Sequence, residues 1–75
     1  MKREIIEAVR TASVPQARIL YAYAYARITR SRDVPRIEVG CLAAAIEELL
    51  RIATAYEIEM IHKCAEVITK TKRKA

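Results

Sequence analysis

Glycine occurs once in this chain, at Gly40, so no glycine-rich loop for cradling phosphates can be built. Histidine also occurs once. On a helix His62 and Cys64, two positions apart, point about 200° away from each other. They can neither share a metal ion nor form a nucleophile–base pair, and His62 is expected on a solvated polar face. Cys41 and Cys64 would lie ~34 Å apart on one continuous helix, far outside disulfide reach. Their apolar neighbours suit buried free thiols in a reducing, cytoplasmic setting. No apolar run approaches ~20 residues, so no membrane span is expected, and Met-Lys-Arg-Glu at the start does not read as a signal peptide. These gaps leave no residue set for a catalyst, a cofactor, a metal or a small-molecule substrate. A binding protein rather than an enzyme is expected. Phenylalanine, tryptophan and asparagine are absent, and glutamine appears once, at Gln16. Few amides among many charges is a pattern of proteins from hot environments; in so short a chain it is equally consistent with chance.

What remains is helix-forming and charged. The 75 residues are 53% hydrophobic and 31% charged, with a net charge of +5. That is a globular balance, although a chain of this size draws only ~3–5 kcal/mol from its core. The charge is unevenly placed. Residues 1–36 hold eight basic and three acidic side chains, residues 37–69 two basic and six acidic, and residues 70–75 four basic ones. One surface can therefore meet phosphate while another meets protein.

The fold expected is all-α, a single domain of two short helices followed by one long amphipathic helix. Ile5, Ile6 and Val9 mark the first, over residues 2–12. Ser13 is a cap for the second helix, and Pro15 disfavours helix at Val14. That second helix covers residues 15–31. Its alternation of Tyr21, Tyr23 and Tyr25 with Ala22, Ala24 and Ala26 also has strand periodicity. Alanine content and length favour helix; the alternative is a hairpin of residues 18–30 and 34–42. Asp33 and Pro35 then open a helix over residues 35–69 that absorbs Gly40 at ~1 kcal/mol and would extend ~50 Å. Leu42, Ile46, Leu49, Ala53, Tyr56, Met60, Cys64 and Val67 form one stripe along it, flanked by Leu50, Ile61 and Ile68. Two short helices can cover only part of such a stripe, so a larger protein or a second copy of the chain is expected to cover the rest. The interface residues expected are Tyr21, Tyr25, Leu42, Ile46, Leu49, Tyr56, Glu59 and Met60.

Several candidates have two readings. Lys70, Lys72, Arg73 and Lys74 form a basic tail over residues 70–75. It suits nucleic-acid phosphates, and equally a solvated helix end that complements the dipole. Arg18, Tyr21, Tyr25, Thr29 and Arg32 share a face of the second helix and suit either a binding surface or tyrosines packed on the third helix. Glu59 falls within the apolar stripe, where a carboxylate needs an arginine partner unless the stripe ends there. Arg27, Arg30, Arg32 and Arg36 join the tail as candidate contacts to nucleic acid, DNA being the expected form.

From Val34 to Arg73, the loop leading into Leu42-Ala-Ala-Ala-Ile46-Glu-Glu-Leu49-Leu50, the alanine-rich continuation and the Lys-Thr-Lys-Arg end together resemble the central part of the histone fold. The resemblance implies long helices crossed in a handshake dimer, with Arg32 and Arg36 in a first DNA-gripping loop and Lys70, Lys72 and Arg73 in a second. Histone-like folds also serve as small accessory subunits of DNA polymerases and transcription complexes. That role suits a polarised chain: a basic accessory subunit docked on a larger protein of a nucleic-acid machine. The alternatives are a homodimeric histone-like DNA binder and a helical homo-oligomer with no nucleic-acid role.

Overall fold

In the computed structural model, the backbone of residues 1–74 and the side chains of residues 1–68 are described. The described chain is all-α: α1 (Lys2–Thr11), α2 (Val14–Thr29), a 3-10 turn (Val39–Cys41), α3 (Leu42–Ile52) and α4 (Ala55–Lys74). No strand occurs among the described residues, and the tyrosine–alanine alternation lies within α2. Alanine-rich helix propensity overrides the period-two pattern there.

Capping sets the helix boundaries. The Ser13 hydroxyl accepts from the Gln16 amide at 3.4 Å, and the Gln16 side chain accepts from Ser13 N–H at 3.2 Å. This reciprocal pair starts α2 at Val14, one residue earlier than Pro15 suggests. The helix ends at Thr29 because Arg30 turns left-handed, with φ 58° and ψ 29°.

The expected long helix over residues 35–69 is not one helix. Residues 31–38 are non-helical, and Arg18 Nη1 donates to the Ile37 carbonyl at 3.1 Å across them. Val34 and Ile37 pack against the core from this segment. Asp33 opens no helix: its N–H donates to the Ser31 hydroxyl at 3.2 Å. Packing of Val34 and Ile37 and the Arg18 anchor outweigh the Asp-Pro start signal, and Gly40 falls in the 3-10 turn. A second break comes after Ile52, where Ala53 is extended at φ −75° and ψ 146°. Thr54 and Glu57 then form another capping box: Glu57 Oε1 accepts from Thr54 N–H at 2.8 Å, and Thr54 Oγ1 accepts from Glu57 N–H at 3.2 Å. The molecule is 32 Å in its longest dimension, too short for the ~50 Å rod that a straight helix would need.

The breaks let α1 and α2 each pack on both α3 and α4. One core results, from Ile5 and Val9 of α1, Ala17, Leu20, Tyr21 and Ala24 of α2, Leu42, Ile46 and Leu50 of α3, and Ile61 and Ala65 of α4. Ile5, Ile46, Ile61 and Ala24 are fully buried at 0% exposure, and each large aliphatic side chain so placed contributes ~1.5–3 kcal/mol. Gln16 Nε2 also reaches the Ile68 carbonyl at 3.4 Å, tying the start of α2 to α4. Among the described residues no helix is long and apolar enough to cross a membrane.

This packing corrects the stripe. Leu42, Ile46 and Tyr21 fill the chain's own core instead of a free face, and Leu49, Met60 and Tyr25 are half-buried. Leu50 and Ile61, assigned to the flanks, are core residues, whereas Tyr56 and Val67 are exposed. Glu59 is also exposed, because α4 turns Ile58, Ile61, Ala65 and Ile68 to the core and leaves Glu59 on its far face. Cys41 is exposed on the 3-10 turn and Cys64 is half-buried, both as free thiols.

Candidate nucleic-acid interface

Tyr23, Ala26, Arg27 and Arg30 are spaced at three and four residues, which aligns them on one face at the C-terminal end of α2. The break at Thr54 brings the start of α4 alongside. Together with Thr54, Tyr56 and Glu57 they line a groove of about 600 Å³, within the usual range for small-ligand clefts.

Within the groove, Arg27 lies over the Tyr23 ring, its guanidinium carbon 5.5 Å from the ring centroid, a cation–π arrangement. Arg27 Nε also donates to the Tyr23 hydroxyl at 3.2 Å. That hydrogen bond raises the Arg27 pKa above its ordinary value, with a smaller contribution from the Tyr23 charge. Among the described residues the groove holds one carboxylate, Glu57, which has one oxygen committed to the Thr54 amide. Among the described residues neither Arg27 nor Arg30 makes an ion pair within 4 Å, whereas Arg3 pairs with Glu7 and Arg51 with Glu48. Both groove arginines are exposed, and Glu57 acts on Arg27 through its charge without an ion pair within 4 Å. The N–H groups of Thr54 and Glu57 at the start of α4 are already satisfied by the capping box. Those two amides are therefore not free for an anion, whereas the guanidinium groups of Arg27 and Arg30 are exposed.

The structure brings together only part of the expected site. Arg32 and Arg36 are exposed on the segment between α2 and the 3-10 turn. Lys70, Lys72, Arg73 and Lys74 occupy the other end of α4, and their side chains lie outside the described residues. The Arg18–Tyr21–Tyr25 face serves the fold. Arg18 anchors Ile37, Tyr21 is buried, and Tyr25 lies against Tyr21 with ring centroids 5.9 Å apart. Tyr23 is the groove residue that sequence reading passed over, although its four-residue spacing from Arg27 is a readable signal. Tyr56 enters as an exposed groove wall, not as part of a helical seam.

Two other places combine polar groups with open volume. His62 is half-buried, not on a solvated face, with Nδ1 3.6 Å from Glu66 Oε1 and its side chain 24% exposed. It lines a depression between α1 and α4 with Glu4 and Glu7. Among the described residues no group of three His, Cys, Asp or Glu side chains is placed to hold a metal ion. A second groove, of about 410 Å³, lies where α1, α2 and the start of α3 meet; Ile6, Val9, Val14, Val39 and Ala43 line it, with Arg10 and Glu47. No family model, curated protein or solved structure matches the chain.

Proposed function

We propose that this chain is a small helical accessory subunit of a nucleic-acid-bound assembly, and that it holds phosphates rather than transforming a substrate. The observation that carries this reading is the groove at the α2–α4 junction. There Arg27 and Arg30 stand exposed beside two tyrosines, with no ion pair within 4 Å among the described residues. Guanidinium groups that no carboxylate holds in an ion pair keep their N–H donors available for phosphate oxygens. Arg32 and Arg36 add two further exposed basic side chains on the segment that follows α2. A net charge of +5 adds long-range attraction to a polyanion.

The test is binding of labelled DNA across a salt series. Affinity should fall steeply between about 50 and 200 mM salt, and replacing both Arg27 and Arg30 by Gln should flatten the logarithmic slope by about 2. A slope unchanged by the double substitution would reject the groove as the phosphate site.

The second reading, a homo-oligomer, has its own observation in the groove between α1, α2 and α3. Its apolar lining includes exposed Val14 and Val39, and Arg10 and Glu47 give it one charge of each sign. Across a two-fold axis each charge would face its opposite in the second copy. Light scattering on the chain and on a Val39→Asp variant tests it: a dimer that the substitution dissociates supports this reading, and a monomer at all concentrations removes it.

A further inference from the structure

Tyr56 projects from the first turn of α4 with 66% of its surface exposed. Among the described residues its ring stacks on no other; the ring contact present is between Tyr21 and Tyr25. The other tyrosine of the groove, Tyr23, already carries Arg27 over its ring. Among the described residues the groove thus has one open aromatic face and two exposed guanidinium groups, with Ala26 as its one aliphatic lining residue. A protein hot spot would ring such a tyrosine with further apolar groups.

From this we infer that the groove takes single-stranded nucleic acid, with one base stacked on Tyr56 and neighbouring phosphates held by Arg27 and Arg30. The inference rests on the phosphate-binding reading above and adds the strand class. In a duplex both faces of every internal base are occupied by its neighbours, so an aromatic ring on a protein surface can reach a base face only in a single strand, a loop or a bulge. Arginines spread along a groove would hold either form by its backbone. The tyrosine is what separates them, because base–aromatic stacking tolerates any sequence but requires an unstacked base. Tyr56 also lies just after a capped helix start, so its backbone is fixed before ligand arrives.

The experiment uses the full chain, with fluorescence anisotropy of labelled oligothymidylate of roughly 15 nucleotides, within the site size of one small domain. The same strand in a duplex with oligoadenylate is the comparison, at about 50 mM salt where phosphate contacts are strong. The single strand should bind at least about five-fold more tightly, the lower end of what one stacked base contributes. Tyr56→Ala should remove that preference by lowering affinity for the single strand more than for the duplex, and Tyr56→Phe should keep it. Circular dichroism of both variants should match the parent, since the side chain lies outside the core. Equal binding of the two forms, or a preference that survives Tyr56→Ala, overturns the stacking inference. In that event an Arg27- and Arg30-dependent salt slope would still uphold the phosphate reading. Absence of binding to either oligonucleotide removes both.

Discussion

Thr54 and Glu57 each satisfy the other's backbone amide, the carboxylate at 2.8 Å from Thr54 N and the hydroxyl at 3.2 Å from Glu57 N. This exchange starts α4 and fixes the reversal that lets α3 and α4 fold back onto α1 and α2. Thr54→Ala should therefore cost about 1 kcal/mol and lower the melting temperature by about 4–8 °C, as expected for a domain of this size. Thermal denaturation followed by circular dichroism measures it. Thr54→Ser, which retains the hydroxyl, should stay close to the parent.

The same pair explains what the sequence conceals. Leu42, Ile46 and Leu50 of α3 and Ile61 and Ala65 of α4 all enter the core. Leu50 and Ile61 are eleven positions apart, just over three full turns on a continuous helix. A straight helix and a broken one therefore present the same apolar rhythm, and periodicity cannot tell them apart. The Thr54-x-x-Glu57 spacing could have, as the like spacing from Ser13 to Gln16 marks the start of α2. The helical class, α1 and most of α2 were legible because amphipathic spacing and alanine content act locally. The segment over residues 31–38 was not, because it is held by a tertiary bond from Arg18 to Ile37. At the groove, Arg27 and Arg30 were legible as charge, but their meeting with Tyr56 depends on the turn at Thr54.

Gly40 gives a prediction of opposite sign. Its backbone has no positive φ, and a Cβ built there would meet nothing within 4 Å. The freedom of glycine is thus unused in the fold and only widens the unfolded ensemble. Gly40→Ala should stabilise the protein by about 0.4–1 kcal/mol, read as a higher urea midpoint with an unchanged slope.

Ile46 sets the opposite extreme, at 0% exposure in the middle of α3. Ile46→Ala should cost about 2–5 kcal/mol, comparable with the whole stability of ~3–5 kcal/mol expected for a chain of this length. Helical circular dichroism at 25 °C should drop substantially, and urea unfolding should lose its native baseline. Ile52→Ala, at an isoleucine that is 71% exposed, is the control and should change little.

The thiols should respond unequally. Cys41 is exposed, whereas Cys64 is half-buried, and burial raises the Cys64 pKa above its ordinary value. A thiol reagent under native conditions should modify Cys41 first, with Cys64 reacting more slowly, as mass spectrometry would resolve. The shift also has a consequence for stability. Because folding favours the protonated thiol, the contribution is complete below the unfolded thiol pKa of about 8.5 and is lost as pH rises through the folded value. Tyr21, raised by burial and then by Tyr25, acts in the same direction from about pH 10 upward. Stability should therefore decline on the alkaline side, and Cys64→Ala should delay the onset of that decline.

Among the described residues Arg30 is the one non-glycine residue at positive φ, 58°, in a conformation that L-residues other than asparagine and aspartate seldom adopt. A chain selected only for durability would put glycine there, since glycine enters this region without steric penalty. If Arg30 holds phosphate as proposed, its arginine is retained at a position where the backbone would accept glycine more readily. Position 30 consequently separates fold from function. Arg30→Gly should weaken whatever the groove holds while leaving the fold at least as stable as before.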